Sequence, residues 1–159
     1  MLASLAGQSL LTSNDTTVEL FVVVNGSSDG TAEVARSHPL AADMGQRMHV
    51  WDLSEPGKSR AWNSIVHASE TSGFSTLVFC DADIDLPDPQ CLKKLCDALE
   101  STPSLDVFVS RPVKKANQES AGLIERLVLK ASGTSSDWKK AICGQLYAIR
   151  GDRARGIHM

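Results

Sequence analysis

Asp81 and Asp83 stand one residue apart at the end of the apolar run Leu77-Val78-Phe79-Cys80. Two carboxylates this close repel each other unless a cation or hydrogen-bond donors lie nearby. Hard divalent ions such as Mg²⁺ or Mn²⁺ prefer oxygen ligands and often share their shell with substrate phosphates. The pair therefore points to a metal-assisted phosphate or diphosphate site. Asp85 extends the acidic series, but an EF-hand loop is ruled out: Leu86 replaces its turn glycine and Leu92 its bidentate glutamate. The bland reading of such a series is a turn, since aspartates commonly open loops.

Two further stretches carry residue types suited to phosphate. Asn25-Gly26-Ser27-Ser28-Asp29-Gly30-Thr31 follows a dense β-branched run. Its glycines let backbone N–H groups approach a ligand, and a helix start just after it favours anions. A plain strand-to-helix turn explains the same residues. Gly57-Lys58-Ser59-Arg60-Ala61-Trp62-Asn63 offers Lys58 and Arg60 as holders of phosphate charge, against the alternative of a solvated basic helix start. Gly57-Lys58-Ser59 looks like the end of a nucleotide-binding P-loop. That motif needs a glycine where Asp52 stands, which speaks against it.

Groups like these need rigid supports, and in open α/β sheets ligands bind beyond the carboxyl ends of strands. The pattern predicts strands at 18–24, 48–53, 77–81 and 106–110, with a last one inside 142–149. Helices are expected over 2–11, 31–37, 58–70, 90–100 and 121–130, the first presenting Leu2, Leu5 and Leu10 on one face. Strands alternating with helices imply an α/β fold with a largely parallel sheet covered on both faces. One domain over residues 1–159 is expected, since the chain is long enough for one real core and shows no internal repeat.

Composition narrows the partners. The chain is 42% hydrophobic and 22% charged, with a net charge of -3, which leaves no basic footprint for nucleic acid. No apolar run approaches the roughly 20 residues that cross a bilayer, and the first residues lack the basic region of a signal peptide. Cys80, Cys91, Cys96 and Cys143 form no C-x-x-C pair, so free thiols in a reducing cytoplasm are expected.

Taken in order, the three polar stretches resemble the family 2 glycosyltransferases of the GT-A fold. That family reads strand–(D/N)-G-S-x-D-G-T–helix, then G-K-x-x-A-x-N, then an apolar strand ending in D-x-D. Here these are Asn25 to Thr31, Gly57 to Asn63, and Asp81 to Asp83. Leu2 to Gln8 resembles the family's first helix, and Gly144 to Arg150 its late strand on the acceptor side.

The resemblance implies a GT-A-like, Rossmann-like sheet and transfer of a sugar from a nucleotide-diphosphate sugar, with inversion in the family's manner, to a carbohydrate or lipid-linked acceptor. It places Asp81 on the ribose or metal side of the nucleotide and makes Asp83 a ligand of the Mg²⁺ or Mn²⁺ that bridges the diphosphate. It sets Lys58, assisted by Arg60, near the base or diphosphate, and Asn25, Gly26 and Asp29 in the nucleotide-side loop. The chain departs from the pattern in three ways. Val24-Asn25 stands where the family often has an acidic pair, the helix at Met1-Leu2 comes without the family's opening strand, and the catalytic base is expected beyond Met159. An incomplete sheet follows, either rearranged or completed by another chain, with the whole protein at the inner face of a membrane or free in the cytoplasm. The competing readings are a haloacid-dehalogenase-like phosphatase with Asp81 as nucleophile, and a nucleotide-binding module without activity.

Overall fold

The computed structural model describes residues 1–110 and 145–159. The run Leu20-Phe21-Val22-Val23-Val24 suits a pleated, packed surface, and forms β1 (Leu20–Asn25). It pairs in parallel with β2 (Met48–Leu53), Leu20 opposite Met48 and Asn25 opposite Leu53. The connection carries α3 (Thr31–Ser37), on the residues expected, and an unexpected second helix, α4 (Pro39–Met44). Pro39 opens α4 where its missing N–H would have no helical partner, and His38 Nδ1 accepts from the Leu40 N–H at 3.2 Å. Parallel pairing requires a crossover of this kind.

A second sheet holds β3 (Thr76–Cys80), β4 (Val107–Val109) and β5 (Leu146–Arg150) in the order β3-β5-β4. Both pairings are antiparallel. The α/β class and the parallel pair are as expected, and β3 and β4 run in one direction. β5 departs from the parallel pattern by running between them the other way. Alternation of strands and helices fixes direction only where a helical crossover returns the chain, and the segment leading to β5 lies outside the described residues. With it go the helix expected at 121–130 and Cys143.

β3 is packed on both faces, as a continuous apolar strand should be. Val78 and Cys80 meet a leucine-rich cluster that includes Leu5, Leu11, Leu40, Leu92, Leu95 and Leu99. Leu77 and Phe79 meet Trp62, Val66, Ile149 and Ala154. Helix α6 (Cys91–Glu100) buries Leu92, Leu95 and Leu99 on one stripe. Helix α5 (Lys58–Val66) buries Trp62, Ile65 and Val66. It ends four residues earlier than expected, and a short 3₁₀ turn, Ser69–Thr71, follows. The helix expected over 2–11 is two helices, α1 (Leu2–Ala6) and α2 (Ser9–Thr12), broken at Gly7-Gln8 because the Gln8 side chain turns inward and is buried. The chain closes with α7 (Gly151–Arg155), where a Cβ on Gly151 would collide with the Phe74 carbonyl oxygen.

The sheets do not join. Among the described residues β1 pairs only with β2, and β3 only with β5. Among those residues β1 and β3 are not paired with each other. A cavity of about 550 Å³ opens at their amino ends, between Asp15-Thr16-Thr17, which lead into β1, and Gly73-Phe74-Ser75, which lead into β3. Helix α5 packs against both strands, and the leucine cluster underlies both. Among the described residues no helix is long and apolar enough to cross a membrane.

Candidate active site

The carboxyl ends of β1, β2 and β3 are fastened together by local backbone chemistry. The Gly26 N–H donates to the Leu53 carbonyl at 2.9 Å. Gly26 has φ +69°, and an added Cβ would lie 2.6 Å from the Pro56 backbone nitrogen, so only glycine fits this close approach. Beside it Asn25 Oδ1 accepts from the Gly57 N–H at 2.8 Å. These contacts fix where α5 begins. Its first residue, Lys58, then reaches the end of β3, where its Nζ donates to both Asp81 oxygens at 2.9 and 3.0 Å. Asp81 is itself held by its backbone N–H, which donates to the Gln145 carbonyl at 2.8 Å.

An aromatic floor lies beneath this pair. Trp62 stacks on Phe79 at 5.7 Å and Phe79 on Tyr147 at 5.0 Å, while Trp62 Nε1 donates to the Tyr147 hydroxyl at 2.9 Å. Burial pushes the Tyr147 hydroxyl pKa up, outweighing the Trp62 hydrogen bond and the nearby Lys58 charge. The Cys80 thiol is pushed up to about 11, chiefly by burial and then by the Asp81 carboxylate, which makes it a packing group and not a nucleophile.

The structure thus brings together Asn25, Gly26, Lys58 and Asp81. The other expected residues stand apart. Arg60 pairs with Glu55. Asp29 is absorbed by its own loop, accepting from the Ser27 and Thr31 hydroxyls and, at 3.1 Å, from the Thr31 N–H. Those bonds, Ser27's foremost, draw its carboxyl down to about 2. Asp83 is exposed and makes no hydrogen bond or ion pair among the described residues. Among those residues no three metal-ligating side chains converge. Asp81 and Asp83 are oxygen donors of the type hard divalent ions prefer, and such ions often take only one or two carboxylates beside phosphate oxygens and water.

The family model for glycosyl transferase family 2 matches residues 1–155. The chain belongs to that family. Neither the curated proteins nor the solved structures gave a match. Family 2 membership makes the chain a glycosyltransferase domain, acting between a nucleotide-sugar donor and an acceptor, and family 2 enzymes commonly use divalent metals. The mixed α/β architecture with its parallel pair accords with a GT-A-like domain.

One residue that supports this family 2 site escaped the sequence reading. Gln8 is 1% exposed. Its Nε2 donates to the carbonyls of Leu86 at 3.3 Å and Asp88 at 2.8 Å, and its Oε1 accepts from the Leu92 N–H at 3.1 Å. It clamps the loop that runs from Asp81 to α6. The signal available was an amide beside a glycine in the middle of an apolar helical face.

Proposed function

We propose that this domain transfers a sugar from a nucleotide-diphosphate donor with inversion, using the converged carboxyl ends of β1 and β3 as the donor site. The observation that carries the reading is the Lys58–Asp81 contact: a cation and a carboxylate meet at the start of an uncapped helix, at the sheet edge where α/β folds bind ligands. Asp81 and Asp83 would hold Mg²⁺ or Mn²⁺, which when bound supplies positive charge against the leaving diphosphate. Lys58 and the first N–H groups of α5 add their own charge and dipole to the same phosphates. Asn25 and Gly26 shape the loop on the nucleotide side, with Asp29 stiffening it. Arg60 assists once it leaves Glu55. In an inverting displacement the acceptor oxygen attacks the anomeric carbon as the bond to the diphosphate breaks, and the acceptor proton passes to a base. Asp152, at the exposed start of α7, sits directly after β5 and is not assigned that role.

The acceptor is a carbohydrate or a lipid-linked sugar, met in the cytoplasm or at the inner face of a membrane. The edges of β1 and β3 that are unpaired among the described residues are where a strand of another chain completes the sheet. The test is a titration of nucleoside diphosphates with and without Mn²⁺, followed by tryptophan fluorescence. Binding should be tighter with Mn²⁺ than without it, and in its presence should weaken at least tenfold, or about 1.4 kcal/mol, in Asp83→Ala. Wild-type binding in that variant would leave Asp81-Ala82-Asp83 as an ordinary turn and remove the metal from the reading.

A further inference from the structure

We propose that Lys58 is an exchangeable counter-ion: its ammonium holds the cation position at Asp81 in the free protein and is released to phosphate when a divalent ion takes its place. This rests on the reading of Asp81 and Asp83 as metal ligands. Nζ sits almost evenly between the two Asp81 oxygens, at 2.9 and 3.0 Å, as a small cation centred on the carboxylate fork would. Both partners are fixed through their backbones, Lys58 by the Asn25 hold on Gly57 and Asp81 by its bond to Gln145. Arg60 is engaged with Glu55, so Lys58 is the cation described at Asp81. Asp83 has no equivalent partner among the described residues.

The contact is built to be given up. The Lys58 side chain is 74% exposed against 33% for Asp81, and an exposed ion pair on a long flexible stem is weakly held. A divalent ion carries twice the charge of the ammonium at the same carboxylate. Once displaced, Nζ swings from a helix start that has no side-chain cap, where phosphate oxygens would find both the ammonium and free N–H groups. Cation and phosphate binding are then coupled, since each ligand releases the residue that serves the other, and such coupling is reciprocal.

Two binding measurements test the exchange without any turnover. Mn²⁺ binding is measured by electron paramagnetic resonance with no phosphate present. Lys58→Gln should bind Mn²⁺ about two- to fivefold more tightly than wild type, the range set by the strength of an exposed pair. Arg60→Gln removes the same charge without touching Asp81 and should change the affinity less. In the reciprocal arm, metal-free binding of inorganic pyrophosphate is followed by calorimetry, and Asp81→Asn should tighten it more than Asp83→Asn does. Equal Mn²⁺ affinity in Lys58→Gln and Arg60→Gln, or equal pyrophosphate affinity in the two aspartate variants, overturns the exchange. Mn²⁺ binding that is lost in Asp83→Asn but indifferent to Lys58→Gln overturns the exchange alone and keeps the metal reading. No Mn²⁺ binding by wild type removes both.

Discussion

At residue scale the site depends on two positions whose roles are conformational. Gly26 combines a positive φ with an approach to Pro56 that leaves no room for a methyl group. Gly26→Ala must strain the backbone and push Pro56, and with it the start of α5, away from β1. A loss of about 1–3 kcal/mol is expected, read as a lower urea midpoint with an unchanged slope. Asp29 gives a pH signature. Its carboxyl is drawn from 3.8 down to about 2 by the Ser27 and Thr31 hydrogen bonds. A depressed carboxylate contributes order that is complete above its unfolded pKa and disappears as pH falls through the folded one. The loop at 26–31 should therefore stay ordered above about pH 4 and loosen between about pH 4 and pH 2. Carboxyl NMR titration checks this directly. In Thr31→Val the Asp29 resonance should titrate nearer 3.8, and an unmoved titration would deny that these hydroxyls set it.

At the scale of elements, two polar contacts, one part-buried and one buried, join pieces far apart in the chain. Tyr147 on β5 accepts from Trp62 on α5, and both rings are stacked on Phe79 of β3. Tyr147→Phe keeps the stacking and strands the indole N–H, which should cost about 1–3 kcal/mol and shift Trp62 emission. Gln8→Ala leaves the Leu92 N–H and the Leu86 carbonyl without their partner in a site closed to water. A loss of at least about 1–3 kcal/mol is expected, together with weaker Mn²⁺ binding, because the loop from Asp81 to α6 loses its clamp. Elements with strong periodicity were legible in the sequence: 31–37 and 48–53 fall where apolar spacing set them, and α6 follows its Leu92, Leu95, Leu99 stripe. Elements decided by contacts distant in sequence were not. No local pattern announces that Gln8 will be swallowed by the loop after β3, or that α5 stops at Val66 so that Thr71 can turn its hydroxyl onto the Ile65 carbonyl at 2.6 Å.

At the scale of the molecule, the three polar stretches were legible as neighbours because parallel strands deliver their carboxyl ends to one edge. Their pairing was not: Lys58 with Asp81, and Arg60 turned away to Glu55, are choices of side-chain reach that sequence order does not encode. The direction of β5 was equally hidden, but the break in the sheet makes its own prediction. Gly26 donates toward β2, so alternation along β1 turns the Val24 and Val22 N–H groups to β2 and those of Val23 and Phe21 away from it, to an edge that is open among the described residues. Asp81 donates toward β5, so Phe79 and Leu77 do likewise, while Cys80 and Val78 point to the opposite edge of β3, open among the described residues. Unpaired backbone groups between two packed faces are costly unless water or another strand satisfies them. In dilute protein the amides of Phe21, Val23, Val78 and Cys80 should exchange with deuterium faster than those of Val22, Val24, Leu77 and Phe79. If another chain completes the sheet, raising the protein concentration should protect the first four selectively, in step with a heavier species in sedimentation. Equal protection of all eight amides in a species that sediments as a monomer would mean that both edges are covered from within, and the sheets would need no partner.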